Sequence, residues 1–493
     1  MRAGMGPSEV YPVAKQTDTN GRFIAEFELR VNPHQAAVIR KRLEAGRLIY
    51  NALLREGLKR LNLFRQSRLY QRALRIPGRT EEQKQARRAA FKAAREAFGW
   101  SEVGLTAHLQ RFGQQFTRSW LNEHVNSQIV KKLAERAARV VHDHSLGRKG
   151  RPRFKKRGEL IALEAINNLQ GIIVKARDDG SLYVDWGAGR GAEHLHLPLI
   201  VDPDDPYHRH ALATMQPEAG FPGLKFTRIV RKVIRGKDRF YAQLVLVGRP
   251  YQRDRIQRHG VVGLDIGPST LAIVAEALVD DPLAAGKEGP FRRFCDELAD
   301  KEKAIRRLQR RLDRQLRANN PDCFDEQGRW IKGRRARNVS NRMRRTLAKL
   351  RTIRRQQAEH RKSLHGHLVR QLLALGSEIR LEKLRYKSFQ RAFGRSVLSR
   401  APGMFVAHLK RKASEIGVVM TELPTHRTRL SQTCHCGRIR KKSLSERIHR
   451  CECGIRAHRD LYSAYLARYV DGDQVDLARA AADWPRFQAL VSA

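Results

Sequence analysis

The sequence predicts a multidomain α+β protein, and three observations carry that expectation. A strand-like run at 22–31 is followed by a long basic block of helical spacing, alternating runs return between about 160 and 250, and from 261 onward short apolar strands are interspersed with Arg-rich helical stretches. At 493 residues the chain exceeds one compact core and suggests about two to four domains.

Taken in order, RFIAEFELRV at 22–31 alternates as a strand does, and Asn32-Pro33 breaks it. Val38, Leu43, Ile49, Leu53 and Leu54 then recur at roughly helical spacing, predicting a helix broken near Gly46 at most. EEQKQARRAAFKAAREAF and the stretch from Thr106 to about His142 add further helix. In LGRKGRPRFKKRG, residues 146–158, Gly and Pro exclude a long helix while Arg148, Lys149, Arg151, Arg153, Lys155 and Lys156 surround Phe154. That composition suits a phosphate-gripping loop, and it also suits a flexible charged linker.

GIIVKARDDGSLYVDW holds an Asp-Asp-Gly turn between alternating runs, and FTRIVRKVIRGKDRFYAQLVLV is a hairpin turning at 235–238. Together with the early strand they suggest a β-barrel into which the helical block is inserted. Beyond the run VVGLDIGPSTLAIV, which reads as buried, and the strand candidate GPFRRFCDEL, Leu and Ile alternate with Arg from about 300 to 375, interrupted at Asn319-Asn320-Pro321 and at 328–333. A helical hairpin follows from this, with Arg306, Arg310 and Arg314 offered to a phosphate backbone or simply to solvent. EIRLEKL at 378–384 and VVMTEL at 418–423 read as strands, 402–416 as a helix, and a last helix begins near Asp460.

Charge narrows the function class. Lys and Arg total 98 against 50 Asp and Glu, a formal excess of +48. The expected partner is a polyanion, nucleic acid before lipid, because no amphipathic anchor concentrates the excess. No run is apolar enough to span a bilayer, and MRAGMGPSEVYPVAKQ lacks the apolar core of a signal peptide. No membrane and no small-molecule substrate are expected, and the expected location is cytoplasmic and nucleoid-associated in a prokaryote.

Within VVGLDIGPSTLAIV, residues 261–274, Asp265 stands between Leu264 and Ile266. A carboxylate in such a strand must be protonated, paired or bound to a metal. Glu382 in a later strand and Asp460 at a helix start share the setting, and the three would converge if the strands were neighbours and the helix crossed their ends. Each also has an ordinary reading: a turn residue, a partner for Lys383 or Arg385, a helix N-terminal acid.

Of the six cysteines, Cys434, Cys436, Cys451 and Cys453 cluster as CHCG and CECG. Four thiolates suit tetrahedral Zn²⁺, with His435, His449 and His458 as alternative ligands; buried reduced pairs or disulfides are the other options. Between the pairs, RIRKKSLSERIHR offers a basic finger carrying Lys441 and Lys442.

The stretches VVGLDIGPSTLAI, IRLEKL, SQTCHCG, RCECG and RAHRDLYSAYLA resemble those of the RuvC-like nucleases of the TnpB family and of the compact type V CRISPR effectors. RLIYNALL and GRPRFKKR look like that family's helical-domain and Gly-x-Pro-x-Phe-Lys segments. The chain departs from the pattern in reading His458-Arg459-Asp460 where Asp-Arg-Asp is frequent, and in spacing its cysteines C-x-C where C-x-x-C is usual.

The resemblance implies a bilobed protein with a β-barrel wedge domain (1–35 and 159–257) interrupted by a helical recognition domain (36–158). An RNase H-like RuvC domain (258–432 and 457–493) would follow, interrupted by a zinc-binding insert (433–456). It implies an RNA-guided DNA endonuclease in which Asp265, Glu382 and Asp460 hold two Mg²⁺ ions, guide RNA pairs with target double-stranded DNA, and the protein reads a short flanking motif. A guide-RNA-dependent binder acting without efficient cleavage, and a protein-guided nuclease of branched DNA, are the alternatives.

Overall fold

The computed structural model describes residues 21–189, 192–251, 259–285, 289–336, 338–384, 386, 389–443 and 445–492, and the chain divides into two compact units, Met1–Gln252 and Arg253–Ala493. The opening stretch on which the signal-peptide expectation rests lies outside the described residues. Among the described residues, no helix is long and apolar enough to cross a membrane.

In the first unit, β1 (Arg22–Leu29) leads into α1 (Pro33–Gln66) through a capping box. The Asn32 side chain accepts from Gln35 N–H at 2.8 Å, and the Gln35 side chain accepts from Asn32 N–H at 3.0 Å. Short α2 (Arg68–Arg75) and α3 (Glu81–Ala97) follow, then α4 (Glu102–Gly113) and α5 (Ser127–Ser145). The helix expected from 106 to 142 is therefore two helices. Residues 114–118 and 120–123 tighten into 3₁₀ turns, and Asn126 caps the restart by accepting from Ile129 N–H at 3.0 Å.

Strands β2 (Ala162–Glu164), β3 (Ile172–Ala176), β4 (Leu182–Trp186) and β5 (Leu195–Ile200), helix α6 (Pro206–Met215), and strands β6 (Leu224–Ile234) and β7 (Lys237–Val247) complete the unit. Helix α1 runs unbroken through Gly46, where a Cβ would come within 2.7 Å of Leu163 Cδ2, so the glycine admits β2 and does not break the helix. The hairpin β6–β7 turns on Arg235 and Gly236, both at positive φ, which matches a two-residue type I′ connection.

The sheet order is β2-β6-β7-β1-β5-β4-β3, antiparallel throughout. The early strand thus sits in the middle of the later ones, as expected, but the barrel is corrected to an open sheet: among the described residues no pair joins β2 to β3. Asn168 supplies a reason. Its carboxamide accepts from Val174 N–H at 2.8 Å and donates to Val174 O at 3.2 Å, occupying backbone positions at the outer edge of β3 that a closing strand would need. One core joins the helices to this sheet, with Phe27, Ile39, Leu53, Val141, Trp186 and Leu244 at its centre.

The second unit begins with β8 (Val261–Ile266), β9 (Thr270–Val274), α7 (Ala277–Asp280) and β10 (Phe291–Arg293). The Arg-rich hairpin α8 (Ala299–Asn319) and α9 (Asn341–Leu373) precedes β11 (Glu378–Glu382), α10 (Phe389–Arg400), α11 (Pro402–Ile416), β12 (Val419–Leu423) and α12 (Thr425–Thr428). Strands β13 (Ile448–Arg450) and β14 (Arg456–His458) run into α13 (Arg459–Ala467), and β15 (Val470–Asp471), β16 (Gln474–Val475) and α14 (Leu477–Val491) follow. The main sheet has the order β10-β9-β8-β11-β12; β10, β9 and β8 are antiparallel, and β8, β11 and β12 are parallel.

Strand β8 is apolar on both sides because both sides are covered. Val262, Leu264 and Ile266 pack with Leu372 of α9 and Phe405 and Leu409 of α11. On the opposite face lies a second core containing Leu461, Ala464 and Tyr465 of α13 and Phe487 of α14. Alternation puts Gly263 and Asp265 on the α13 side.

Candidate functional site

Parallel pairing sets Leu264 opposite Leu381, so Asp265 and Glu382 are the next residues on adjacent strands, at their carboxyl ends. Helix α13 crosses the same strand where Gly263 leaves room: a Cβ there would lie 1.8 Å from Ala464 O. Four residues back from Ala464, about 6.0 Å along the helix, is Asp460, and two residues along the strand from Gly263, about 6.6 Å, is Asp265. The near-equal steps are consistent with the charge of Asp460 acting on Asp265. The charges of Asp460 and Glu382 both act on Asp265, so the three sequence-predicted acids share one region, although among the described residues only the four cysteines close to a group of ligand spacing.

Their electrostatics agree with that placement. Burial first, then the neighbouring charges of Asp460 and Glu382, hold the Asp265 carboxyl well above the ordinary aspartate range, against the pull of Arg459 and Arg447. Burial pushes Glu382 up to about 7, with Arg459 acting in the other direction. Lys383 contributes nothing comparable, and Arg385 lies outside the described residues. Asp460 Oδ2 is 3.6 Å from Arg447 Nη1. The hydroxyl of Tyr386 is raised by burial, by Glu422 and by Asp265. The cluster is thus short of positive charge, and a hard divalent cation is the chemical complement of such an oxygen set.

Asp460 occupies the first turn of α13, where an acid is also favoured by the helix dipole. His458 packs its ring 4.1 Å from that of Phe291. Arg447, Tyr386 and Gly263 were not singled out from the sequence. Gly263 alone had a visible signal, a glycine inside a strand, which marks a bulge or a close approach.

The four cysteines come together with their Sγ atoms within 4.8 Å of one another. Cys434 pairs across with Cys453 and Cys436 with Cys451, each at 3.5 Å. Disulfide sulfurs sit about 2.05 Å apart, whereas sulfurs on one tetrahedral zinc at about 2.3 Å lie roughly 3.8 Å apart, so the arrangement fits zinc and not a disulfide. C-x-C spacing works because each pair sits in a matching turn. Gly437 N–H donates to Cys434 O at 2.9 Å and Gly454 N–H to Cys451 O at 3.1 Å, with both glycines at positive φ (89° and 92°).

None of the three histidines belongs to this sulfur group. Burial pushes the Cys434 thiol up to about 12. At Cys451 burial also acts upward, but the Cys453 N–H and the neighbouring thiols outweigh it and bring the value to about 7. The cluster is tied to α13 by Tyr462, whose hydroxyl accepts from His435 N–H at 3.0 Å and lies 3.5 Å from Cys434 Sγ.

Residues 403–466 match the Cas12f1-like TNB domain. The match takes in α11, β12, the cysteine turns and Asp460, and supports the resemblance of this chain to the compact type V effectors and TnpB proteins. No curated protein matches. Among solved structures, a cryo-EM structure of a Cas12f1-sgRNA-target DNA complex aligns over 92% of this chain and 99% of that chain, at a TM-score of 0.45 and 11% identity. The TNB-like match covers the cysteine cluster and the third acid, whereas Asp265 and Glu382 lie outside it.

The remaining sequence-predicted residues divide. The 146–158 loop has no regular structure yet is pinned: Asn51 donates to Lys155 O and accepts from Lys155 N–H, both at 2.9 Å, and Arg47 donates to Lys155 O at 3.0 Å. A slack linker would not be held this way. Arg151, Arg153, Phe154 and Lys156 face solvent, while Lys149 is paired with Asp143 at 2.7 Å and Arg148 lies 3.9 Å from it. Arg306, Arg310 and Arg314 are exposed on α8, spaced four apart and so on one face.

Within the TNB-like segment Lys441 is exposed, but Lys442 is not a surface cation. Its ammonium is buried against Ser431 O at 3.1 Å and His449 Nδ1, and burial lowers it to about 8. The finger expected over nucleic acid also spends Arg440 on Glu446 and Arg438 on Glu452.

Proposed function

We propose that this chain is an RNA-guided DNA endonuclease of the TnpB and compact type V kind, with Asp265, Glu382 and Asp460 as its catalytic carboxylates. One observation carries the reading: three acids from two parallel strands and one crossing helix share one region in which burial holds Asp265 and Glu382 above their ordinary range. Structural acids are normally matched by cations, and these are under-matched. The mixed five-stranded sheet with acids at the ends of adjacent β8 and β11 supports the RNase H-like RuvC assignment.

Asp265, Glu382 and Asp460 would hold the Mg²⁺ ions, whose bound charge supplies Lewis acidity for phosphodiester hydrolysis. The chain itself presents these three oxygen donors from rigid elements. Arg447 and Arg459 hold positive charge beside them, where an incoming phosphate needs it. Cys434, Cys436, Cys451 and Cys453 would hold Zn²⁺, fixing the two turns that lead into α13. The basic loop at 148–156 and the α8 face of Arg306, Arg310 and Arg314 would grip guide RNA and heteroduplex by phosphate and shape. The wedge and recognition parts, 1–35, 36–158 and 159–257, would read the flanking DNA motif; 258–432 with 457–493 would form the nuclease, and 433–456 the zinc insert.

The test is to purify the protein from cells carrying its native locus, sequence the copurifying RNA and assay Mg²⁺-dependent cutting of a plasmid library matched to it. A discrete RNA with guided cutting that Asp265→Ala abolishes is the expected result. Discrete RNA without cutting would leave an RNA-guided binder, and cutting that ignores the guide would overturn the guided part.

A further inference from the structure

The segment joining α8 to α9 is a small built module. Asn320, 2% exposed, donates to Asn338 O and accepts from Asn338 N–H, both at 2.9 Å, clamping the two ends of the segment together. Buried Cys323 accepts through its carbonyl from Ile331 N–H at 2.9 Å, and Phe324 and Trp330 form a β-bridge. The chain reverses at Gly328, whose carbonyl accepts from Arg317 at 2.5 Å. Phe324 is held between the Arg317 guanidinium, 4.8 Å from its centroid, and the Trp330 ring, edge-on at 5.3 Å and 86°.

A lone exposed apolar residue ordinarily needs no explanation. Trp330 differs in two respects. Trp330 is 44% exposed and its ring is braced by Phe324 in an edge-to-face contact, so the indole is held in place while open to solvent. The residues that follow, Lys332, Arg334 and Arg335, are all exposed and have no ion-pair partner within 4 Å among the described residues. Acids in the module are partly engaged already, Asp325 by Arg329 at 3.0 Å.

We infer that Trp330 is a stacking platform for an unpaired nucleobase of a bound strand, with the adjoining phosphates met by Lys332, Arg334 and Arg335. The inference rests on the reading that this chain binds nucleic acid and adds to it a contact with a base, where α8 offers phosphate contacts only. Aromatic stacking tolerates any base, since each has a π-face, so the contact holds a strand without reading it. The strand is a stretch of bound RNA or of unpaired DNA; the shared chemistry is a base beside its phosphate.

The test uses the full-length protein with fluorescent RNA and DNA oligonucleotides about 16 nucleotides long, each also made as an abasic backbone. Trp330→Ala is expected to weaken binding to base-bearing strands about tenfold, to change binding to the abasic strands less than about twofold, and to leave the salt slope unaltered. Trp330→Phe, which keeps a π-face, should recover most of the loss. The sugar on which the loss is larger identifies the strand. Equal affinities of Trp330→Ala and the native chain for base-bearing strands would overturn the inference, as would an equal loss on abasic strands, which would mark a structural role. If the native chain bound neither kind of strand, nucleic-acid binding itself would fall first.

Discussion

Ala464 O lies so close over Gly263 that a Cβ on the glycine would be 1.8 Å away. This contact sets the height of α13 above the sheet and, one turn back, that of Asp460, whose charge acts on Asp265. Gly263→Ala should therefore cost more than an ordinary strand substitution, at least the 1–3 kcal/mol or so of an overpacked core. Thermal unfolding should show a lowered midpoint, and Mg²⁺ titration a weakened response. Native-like values of both would mean that the helix can slide without consequence.

The acid cluster predicts a pH-dependent stability of the metal-free protein. Glu382 is raised from 4.5 to about 7 in the folded state. A raised acid gives no penalty below its unfolded value; the penalty grows as pH rises from about 4.5 and is complete above about 7. At 1.36 kcal/mol per unit it is of order 3 kcal/mol. Glu382→Gln should accordingly melt higher than the native chain at pH 8 without metal, and at the same temperature near pH 4.5. Added Mg²⁺ should stabilise the native chain at pH 8 and narrow the gap. A variant less stable than the native chain at pH 8 would contradict the assignment.

Zinc removal should reach the acids through Tyr462. The protein is expected to contain one zinc per chain, and stripping it should lower both the melting temperature and the cleavage rate, because the cysteine turns dock on the helix that carries Asp460. Tyr462→Phe should keep the zinc while leaving His435 N–H without its acceptor, at a cost of about 1–3 kcal/mol. Elemental analysis with thermal unfolding separates the two effects. Absence of zinc from protein purified without chelator would remove this role.

The Arg face of α8 predicts a change in salt dependence. Replacing Arg306, Arg310 and Arg314 together by Gln should weaken nucleic-acid binding and reduce the slope of log affinity against log salt by up to about three, near 0.9 per lost duplex-phosphate contact. Unfolding temperature should hardly move, since α8 buries none of its residues. An unchanged slope would return the face to solvent.

Much of the second unit was legible in the sequence. The strands at 261–274, 378–384 and 418–423, the helix at 402–416 and the hairpin of α8 and α9 declare themselves by apolar period, Gly and Pro punctuation and capping residues, all local properties. The acids were legible as candidates because a carboxylate inside an apolar strand is unusual at any position. The open edge of β3 was not legible, because it depends on Asn168 reaching a backbone six residues away, which no periodicity records. Lys442 was misread for a similar reason: a lysine in a basic run looks solvated until Ser431 and His449 close around it.

The sequence by itself determined which residues can do chemistry: three acids, four cysteines and an excess of cations, each fixed by residue type and local context. Only the tertiary structure decided which of them meet. Parallel register places Asp265 beside Glu382, a missing Cβ at Gly263 admits α13, and four sulfurs brought within 4.8 Å make one group of two short motifs. These are distances between segments far apart in the chain, set by packing and pairing, and a linear pattern holds no record of them.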